Sequence, residues 1–376
     1  YVFRDSMSGQ EYIRSGKELC EKGLYVELEA YKCHTFLDWR PVRDNEWHQY
    51  AHLAAYLHGR GVPSIEEALR EVFLQPVHHP FKELVNADLF RRLMAARVTE
   101  PDGEIDEVLV AEVEQKVERL VTEIEEFLGN EGGASEEKEE KIANRIARQI
   151  RRELEAILLL PVLPARFPLP RSRKYKAAVD MLESHLDGDP AVWGTLFAWL
   201  FTHALGKATR EEAPEAQSRS WLDEWLLGKV IAGVLQDMGL DEGAAWWSVG
   251  MVKILVNHQR WYEADASQAR QARQGRRAGV LSPYTVLRSW LGDSEIQQFI
   301  QVNRYGDVLW FNREAFEQLL AWMLALTSVE ISADPNRSPD QVAKGIVASY
   351  DLLKKLKQAE EASDYKIAKL IEAAQN

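Results

Sequence analysis

The chain has 376 residues, of which 46% are hydrophobic and 28% charged, a balance typical of folded proteins that live in water. Its formal net charge of −13 argues against a broad surface for nucleic acids or anionic membranes, because phosphate contacts need clustered Lys and Arg. Only two cysteines occur, and no apolar run reaches the about 18 residues of a membrane span. We therefore predict a cytoplasmic protein that binds neither nucleic acid nor membrane.

Residues 1–42 carry the pattern of short β-strands. Apolar runs at 1–4 and 11–14 are separated by a turn, residues 24–31 alternate with Leu24, Val26, Leu28 and Ala30 on one face, and 34–39 supply a last strand before a proline. The pattern predicts a small antiparallel β-unit, which is too small to be stable alone.

From Asp44 onward the hydrophobic period becomes helical. Ser64 opens a helix that we expect to run to about residue 75, because Glu67 follows it at the capping-box spacing. Two apolar stripes, at 105–128 and 142–158, flank a Gly-rich break and predict an antiparallel helical hairpin. The stretch 161–170 contains four prolines and is the best candidate for a linker.

Trp-rich helices are predicted after this linker, and the helical pattern continues to the end of the chain, interrupted by one hairpin. The predicted helices cover 171–186, 190–206, 218–238, 241–263, 281–291, 313–328 and 339–358, and the hairpin turns at Tyr305-Gly306-Asp307. The predicted fold is therefore mainly α, with a short N-terminal antiparallel β-unit, a large multi-helix region and one small β-hairpin near 300–311. The predicted domains are 1–42, 43–165 and 166–376.

A family resemblance lies in the first 39 residues. The string from Phe3 to Tyr12 (FRDSMSGQEY) and the string from Gly23 to Tyr31 (GLYVELEAY) resemble the last strands of the C-terminal β-domain of alpha-amylase family enzymes (glycoside hydrolase family thirteen). In that family an Asp-x-x-Ser-Gly-Glu-like turn precedes a strand reading Leu-x-Leu-x-x-Tyr. Gln10 stands where Glu is usual and Ala30 where Pro is commoner.

The resemblance implies that the catalytic barrel would precede Tyr1, so we expect the chain to be a fragment of a longer enzyme. Glycoside cleavage needs two carboxyl groups that face the scissile bond, and the sequence has no Gly-x-Arg-x-Asp motif and no terminal His-Asp pair. We expect no catalytic residue, metal or cofactor here, and whether the chain is itself an enzyme stays open.

Twelve tryptophans are the most unusual feature of the composition. Most stand at helical spacing and are predicted to be core residues, since each buries a large apolar area. In the adjacent pairs Trp246-Trp247 and Trp261-Tyr262, both side chains cannot easily face inward. These four residues are the candidate exposed surface for a sugar or a protein partner.

Other clusters have simpler interpretations. His48 and His52 share a helix face, with His58, His78 and His79 nearby, but no Glu stands in a His-Glu-x-x-His arrangement, so packing or surface roles are favoured over zinc. Six arginines are concentrated in one stretch of the otherwise acidic chain. They are Arg260, Arg270, Arg273, Arg276, Arg277 and Arg288. They could bind a phosphate, an acidic partner or glycan hydroxyls, but ion pairs with the surplus carboxylates are the simpler interpretation. Glu136, Glu137, Glu139 and Glu140 are interpreted as a charged helix start.

Two functions follow from these observations. In the first, the chain is the non-catalytic C-terminal region of an alpha-amylase family glycosidase or transglucosidase acting on α-glucans. It would support the upstream barrel of the same chain, mediate homo-oligomer contacts or present an accessory sugar surface. In the alternative, it is an independent helical scaffold or protein-interaction module unrelated to carbohydrate.

Overall fold

A computed structural model describes residues 1–28, 30–44, 48–129, 141–209, 213–263 and 281–375. Contacts divide the chain into two compact units, residues 1–79 and residues 80–376. The predicted domain boundaries near 42 and 165 each lie inside one of these units. None of the helices in the described ranges is both long and apolar enough to span a membrane.

The first unit contains a three-stranded antiparallel sheet. Strand β1 (Val2–Asp5) lies in the centre, with β2 (Glu11–Ile13) on one side and β3 (Phe36–Arg40) on the other. Val2 and Ile13 pack on one face with Leu53, Leu57 and Ile65 of the following helices. Phe3 points to the opposite face, as the two-residue period of a strand requires, and its ring stacks on Trp39 at 4.1 Å. The prediction of a small antiparallel β-unit is therefore confirmed.

The strand predicted over 24–31 is wrong in the described residues. No strand forms over residues 24–28, and residues 30 and 31 belong to a turn. Leu24 and Val26 are partly buried, while Tyr25 and Leu28 are 81% and 58% exposed. Alternation gives one side of the segment an apolar character, but a strand also needs a neighbouring strand for its backbone hydrogen bonds. Residues 16–22, which carried no prediction, form a short exposed helix.

The helices of the first unit follow the sheet. They are α1 (Gly16–Lys22), α2 (Gln49–Leu57), α3 (Ile65–Phe73) and the start of α4 (Gln75–Leu84), within which the division between the units falls. Ser64 accepts a hydrogen bond from the backbone N–H of Glu67, so the predicted N-cap of α3 is confirmed.

The second unit is built from helices and one hairpin. Its helices after α4 are α5 (Ala87–Ala95), α6 (Glu107–Phe127), α7 (Ile142–Leu158), α8 (Leu163–Arg166), α9 (Arg173–Leu186), α10 (Pro190–Leu200), α11 (Pro214–Glu224), α12 (Leu227–Asp237), α13 (Glu242–Asn257), α14 (Pro283–Leu291), α15 (Ser294–Phe299), α16 (Arg313–Ser332), α17 (Pro339–Glu361) and α18 (Ile367–Ala373). Short 3₁₀ turns occupy Leu160–Val162 and Leu205–Thr209, and β4 (Asn303–Tyr305) pairs with β5 (Val308–Trp310). The mainly α fold with one small hairpin near 300–311 is therefore confirmed.

The two striped helices pack against each other as predicted. Arg151 of α7 pairs with Glu107 and Glu114 of α6 at 2.6 and 2.8 Å. Asn144, earlier on α7, lines a pocket with Glu118, later on α6, so the two helices run antiparallel. Their connection falls in residues 130–140, outside the described part. The proline-rich stretch after α7 is packed: Leu160 and Leu163 are each 1% exposed.

One predicted helix is split in two. The pattern over 218–238 predicted a single helix, but α11 ends at Glu224 and α12 begins at Leu227, because Leu226 adopts a left-handed backbone with φ of 55°. A non-glycine residue in this region interrupts a right-handed helix.

Candidate functional site

Helix α13 carries a row of residues on one face. Asp241 caps the helix by accepting the backbone N–H of Ala244, which fixes its start. Four residues then follow at spacings of four, three and four, so they share a face at about 3.6 residues per turn. They are Trp246, Gly250, Lys253 and Asn257. The first and last of them lie about 16 Å apart along the axis.

The N-terminal end of this row is aromatic. Trp246 is 46% exposed and its neighbour Trp247 39% exposed. Trp247 also stacks on Phe299 of α15, with ring centroids 4.7 Å apart, so one of its faces is already covered. At Gly250 a Cβ atom would meet nothing within 4 Å, so the surface beside Trp246 is open. The helix surface one turn away from the exposed indole is therefore open.

Charged residues join three helices in the middle of the row. The Lys253 ammonium lies 2.7 Å from Asp223 of α11 and 3.5 Å from Glu295 of α15. Glu295 also accepts a hydrogen bond from Arg219 of α11 at 3.1 Å. The charges are therefore largely neutralised where they meet, and they hold α11 and α15 beside α13.

A buried polar pair lies at the C-terminal end of the row. His258, which caps α13, approaches Asp293 with Nε2 at 2.9 Å from Oδ2, and Asn257 donates to the same oxygen at 2.7 Å. Asp293 in turn caps α15 by accepting the backbone N–H of Glu295 at 2.8 Å. Burial opposes ionisation, but these hydrogen bonds hold the pKa of Asp293 well below its usual range. Asp293 is therefore a carboxylate at neutral pH.

An open pocket of about 680 Å³ surrounds this pair, and its lining is polar. Donors and acceptors from α13, α14 and α15 line it, namely Asn257, His258, Thr285, Arg288, Ser289, Asp293 and Ser294. We call the row on α13 together with this pocket the α13–α15 face. It places an aromatic platform at one end and a cluster of hydrogen-bonding groups at the other.

The second aromatic pair does not belong to this surface. Trp261, predicted to be exposed, is only 9% exposed, and its indole N–H donates to the Met323 carbonyl at 3.2 Å. Tyr262 lines a different cavity of about 470 Å³ with Arg337. Burial, aided by the carboxyl of Glu330, raises the pKa of Tyr262 above its ordinary value. Inside the second unit Trp261 also packs against Trp290, with ring centroids 5.5 Å apart, and its indole N–H has a backbone acceptor, as most buried indoles do.

The prediction that most tryptophans are core residues agrees with their burial. Seven of those in the described ranges are at most 9% exposed, namely Trp193, Trp199, Trp221, Trp225, Trp261, Trp290 and Trp322. Trp39 is 45% exposed, and Trp47 lies outside the described residues.

The remaining sequence candidates are scattered. His48 precedes α2 rather than lying on it, so it and His52 do not form the predicted pair on one helix. Within the described ranges, no three His, Cys, Asp or Glu side chains are grouped so that they could hold a metal ion. Arg288 lines the polar pocket, whereas Arg270, Arg273, Arg276 and Arg277 fall outside the described residues, as do Glu136, Glu137, Glu139 and Glu140.

A second polar cluster is enclosed by helices of the second unit. His203 Nε2 lies 2.7 Å from Glu153 Oε2, and its Nδ1 lies 3.0 Å from Gln259. Glu153 also accepts from Gln149, which in turn accepts from Lys207 at 2.7 Å. The bonds and charges supplied by His203 and Gln149 lower the pKa of Glu153 even though burial acts in the opposite direction. Each of these groups has a partner, so the cluster cross-links the helices.

Sequence reasoning missed the pair formed by His258 and Asp293. They stand 35 residues apart, and neither belongs to a recognisable motif. The only local signal is the position of Asp293 at the start of a short helix, which indicates a cap. No family model, no curated protein and no solved structure matches this chain.

Proposed function

We propose that this chain is the non-catalytic C-terminal region of an alpha-amylase family enzyme acting on α-glucans, and that its α13–α15 face is an accessory sugar surface. The observation that carries the proposal is the exposed indole of Trp246, one helical turn from the open surface at Gly250. Sugar rings have an apolar face that packs on an aromatic ring and hydroxyls that need polar partners. The α13–α15 face offers both kinds of group.

One feature of the N-terminal unit favours the family assignment, although the strand that the resemblance places at 24–31 does not form in the described residues. Tyr25, Leu28, Tyr31 and Leu37 are all at least half exposed in the segment that resembles the closing strands of the alpha-amylase β-domain. Exposed apolar side chains at this density are typical of a surface that another part of the protein covers. The upstream barrel, or a second copy of the chain, would cover it. The exposed, unpaired Cys20 and Cys33 fit a location in the cytoplasm.

The sugar surface is tested by electrophoresis in native gels that contain glycogen. We expect the chain to be retarded by glycogen and Trp246→Ala to migrate as it does in a gel without glycogen. Trp39→Ala is the matched control, because Trp39 has nearly the same exposure, 45% against 46%, but lies in the other unit. An unretarded chain, or equal retardation of Trp246→Ala, would refute the sugar surface.

The absence of catalysis is tested separately. Incubation of the chain with maltodextrin should release no reducing ends above the rate in buffer. A release that rises in proportion to chain concentration would show that the chain is itself a glycosidase, and the proposal would then be wrong.

An independent helical scaffold is the second candidate, and one observation favours it. The second unit has a large apolar core of its own, with Trp193, Trp199 and Trp290 no more than 1% exposed. Such a core can fold without a catalytic domain. This alternative gains support if the chain binds no glucan but forms a stable complex with a protein other than an amylase barrel.

A further inference from the structure

His258 has one ring nitrogen that no described residue satisfies. The side chain is 8% exposed, and its Nε2 is paired with Asp293 at 2.9 Å. Its Nδ1 has no hydrogen-bond partner among the described residues, although the ring lines the open polar pocket. Because Nδ1 is not itself one of the fully buried atoms without a partner, water or a ligand in the pocket can reach it.

The hydrogen-bond partner of Nε2, Asp293, helps to determine whether Nδ1 can donate or accept a hydrogen bond. Asp293 is a carboxylate and accepts a hydrogen bond, so the ring nitrogen that faces it, Nε2, carries a proton. In the neutral form of the ring, Nδ1 is then an acceptor. Because Asp293 is also held by Asn257 and by the backbone N–H of Glu295, the ring has a fixed orientation. The pocket therefore contains a positioned ring nitrogen, which is an acceptor when the ring is neutral.

Donors stand around this acceptor. The Arg288 guanidinium and the Ser289 and Ser294 hydroxyls line the same pocket, and all three residues are exposed at its rim. A ligand hydroxyl can donate to Nδ1 and at the same time accept from a guanidinium or a serine. Neighbouring hydroxyls on one small ring match this mixture of donors and acceptors better than an anion, which can only accept.

We propose that the pocket at His258 is a second contact point for the glucan that stacks on Trp246, so that one oligosaccharide spans the α13–α15 face. This inference rests on the proposed function of that face. Trp246 and Asn257 share one face of α13 about 16 Å apart, so a disaccharide contacts one end only and a longer chain contacts both. Two contacts on one molecule raise the affinity without strengthening either contact.

Isothermal titration calorimetry of the full chain with maltose and with maltohexaose tests the inference. We expect the wild type to bind maltohexaose at least about tenfold more tightly than maltose. Arg288→Ala should lower the affinity for maltohexaose about tenfold, the effect of one or two lost hydrogen bonds. It should leave the affinity for maltose unchanged, whereas Trp246→Ala should weaken both.

His258→Gln is the second variant, because its amide N–H can still donate to Asp293 while the ring acceptor is lost. It should behave as Arg288→Ala does, and circular dichroism checks that both variants keep their helices.

If both variants bind maltohexaose as tightly as the wild type while Trp246→Ala does not, the pocket plays no part, and the sugar surface stands without it. If the wild type binds neither sugar, the proposed function itself fails. Inorganic phosphate is the competing probe: binding that depends on Arg288, with maltohexaose unaffected, would make the pocket an anion site and overturn the inference.

Discussion

Glu330 on α16 provides a test of the polar interior of the second unit. Its carboxyl is partly buried and accepts the backbone N–H of Arg260 at 3.1 and 3.2 Å. Burial raises the pKa of Glu330 to about 8, and the carboxylates of Glu153 and Glu263 act in the same direction. The Glu330 carboxyl is therefore mostly protonated at neutral pH, and the substitution Glu330→Gln keeps its shape while removing its proton equilibrium.

The size of the effect follows from the two pKa values. The folded value is about 8 and the ordinary value 4.5, and each pH step between them is equivalent to about 1.4 kcal/mol. A fully desolvated carboxyl would therefore lose about 5 kcal/mol of stabilisation on passing from acid to alkaline pH. Water screens part of this at a partly exposed group, so we expect about 2 kcal/mol.

The sign is fixed by proton linkage. Between pH 4.5 and about 8 the folded chain holds the Glu330 proton and the unfolded chain does not, so the free energy of unfolding falls as the pH rises through this range. Glu330→Gln has no such proton. Between pH 5 and pH 9, the free energy of unfolding of the variant should therefore rise by about 2 kcal/mol relative to that of the wild type.

Urea unfolding at pH 5, 7 and 9, followed by tryptophan fluorescence, measures this difference. Glu314→Gln is the control, since Glu314 is an exposed residue on the same helix and its substitution makes the same chemical change in the side chain. A stability difference between wild type and Glu330→Gln that does not change with pH, or that changes equally for Glu314→Gln, would show that Glu330 is not kept protonated by burial.

Three further outcomes are expected. Gly250→Ala should stabilise the chain by up to about 1 kcal/mol in urea unfolding, because its Cβ meets nothing within 4 Å, whereas Gly194→Ala should destabilise it, because there the Cβ would lie 2.6 Å from a Leu235 methyl group. His203→Leu should cost about 3 kcal/mol in the same assay, since it leaves the Glu153 carboxylate buried without its main partner. The hydrogen bond from His34 holds the pKa of Asp5 well below its usual 3.8. The first unit should therefore lose stability as the pH falls below about 4. In a titration followed by circular dichroism, Asp5→Asn should abolish that acid dependence.

Local chemistry could be predicted from the sequence where it is decided within a few residues. The hairpin at Tyr305-Gly306-Asp307 is an example, because Gly306 takes the positive φ of 60° that its turn needs. Ser338 and Gln341 form a reciprocal capping box at the start of α17, and they stand at the three-residue spacing that marks this motif in a sequence. The stripes of α6 and α7 were equally clear, since their apolar residues repeat at the period of one helix face.

Features that depend on distant partners could not be predicted. The alternation at 24–31 shows which side chains share a face, but not whether a strand lies next to them. Trp246 and Trp261 look alike in sequence, each followed by an aromatic residue. In the interior, Trp261 packs against Trp290 and donates to the Met323 carbonyl, and no local pattern shows these partners. The polar pocket is assembled from the end of α13 and the start of α15, so no single segment contains it.

On one face of α13, two residues contribute less to stability than other residues could. This is the strongest reason to assign a function to that face. Glycine inside a helix costs about 1 kcal/mol relative to alanine, and no described atom would be crowded by a methyl group at Gly250. One turn away, Trp246 leaves nearly half of a large apolar side chain in water. The inward face of the same helix shows no such compromise, with Val249 and Val252 no more than 1% exposed. A sequence that packs one face closely and leaves an exposed indole and a glycine on the other is not optimised there for stability alone. A ligand that stacks on the indole and lies over the glycine would account for both residues at once.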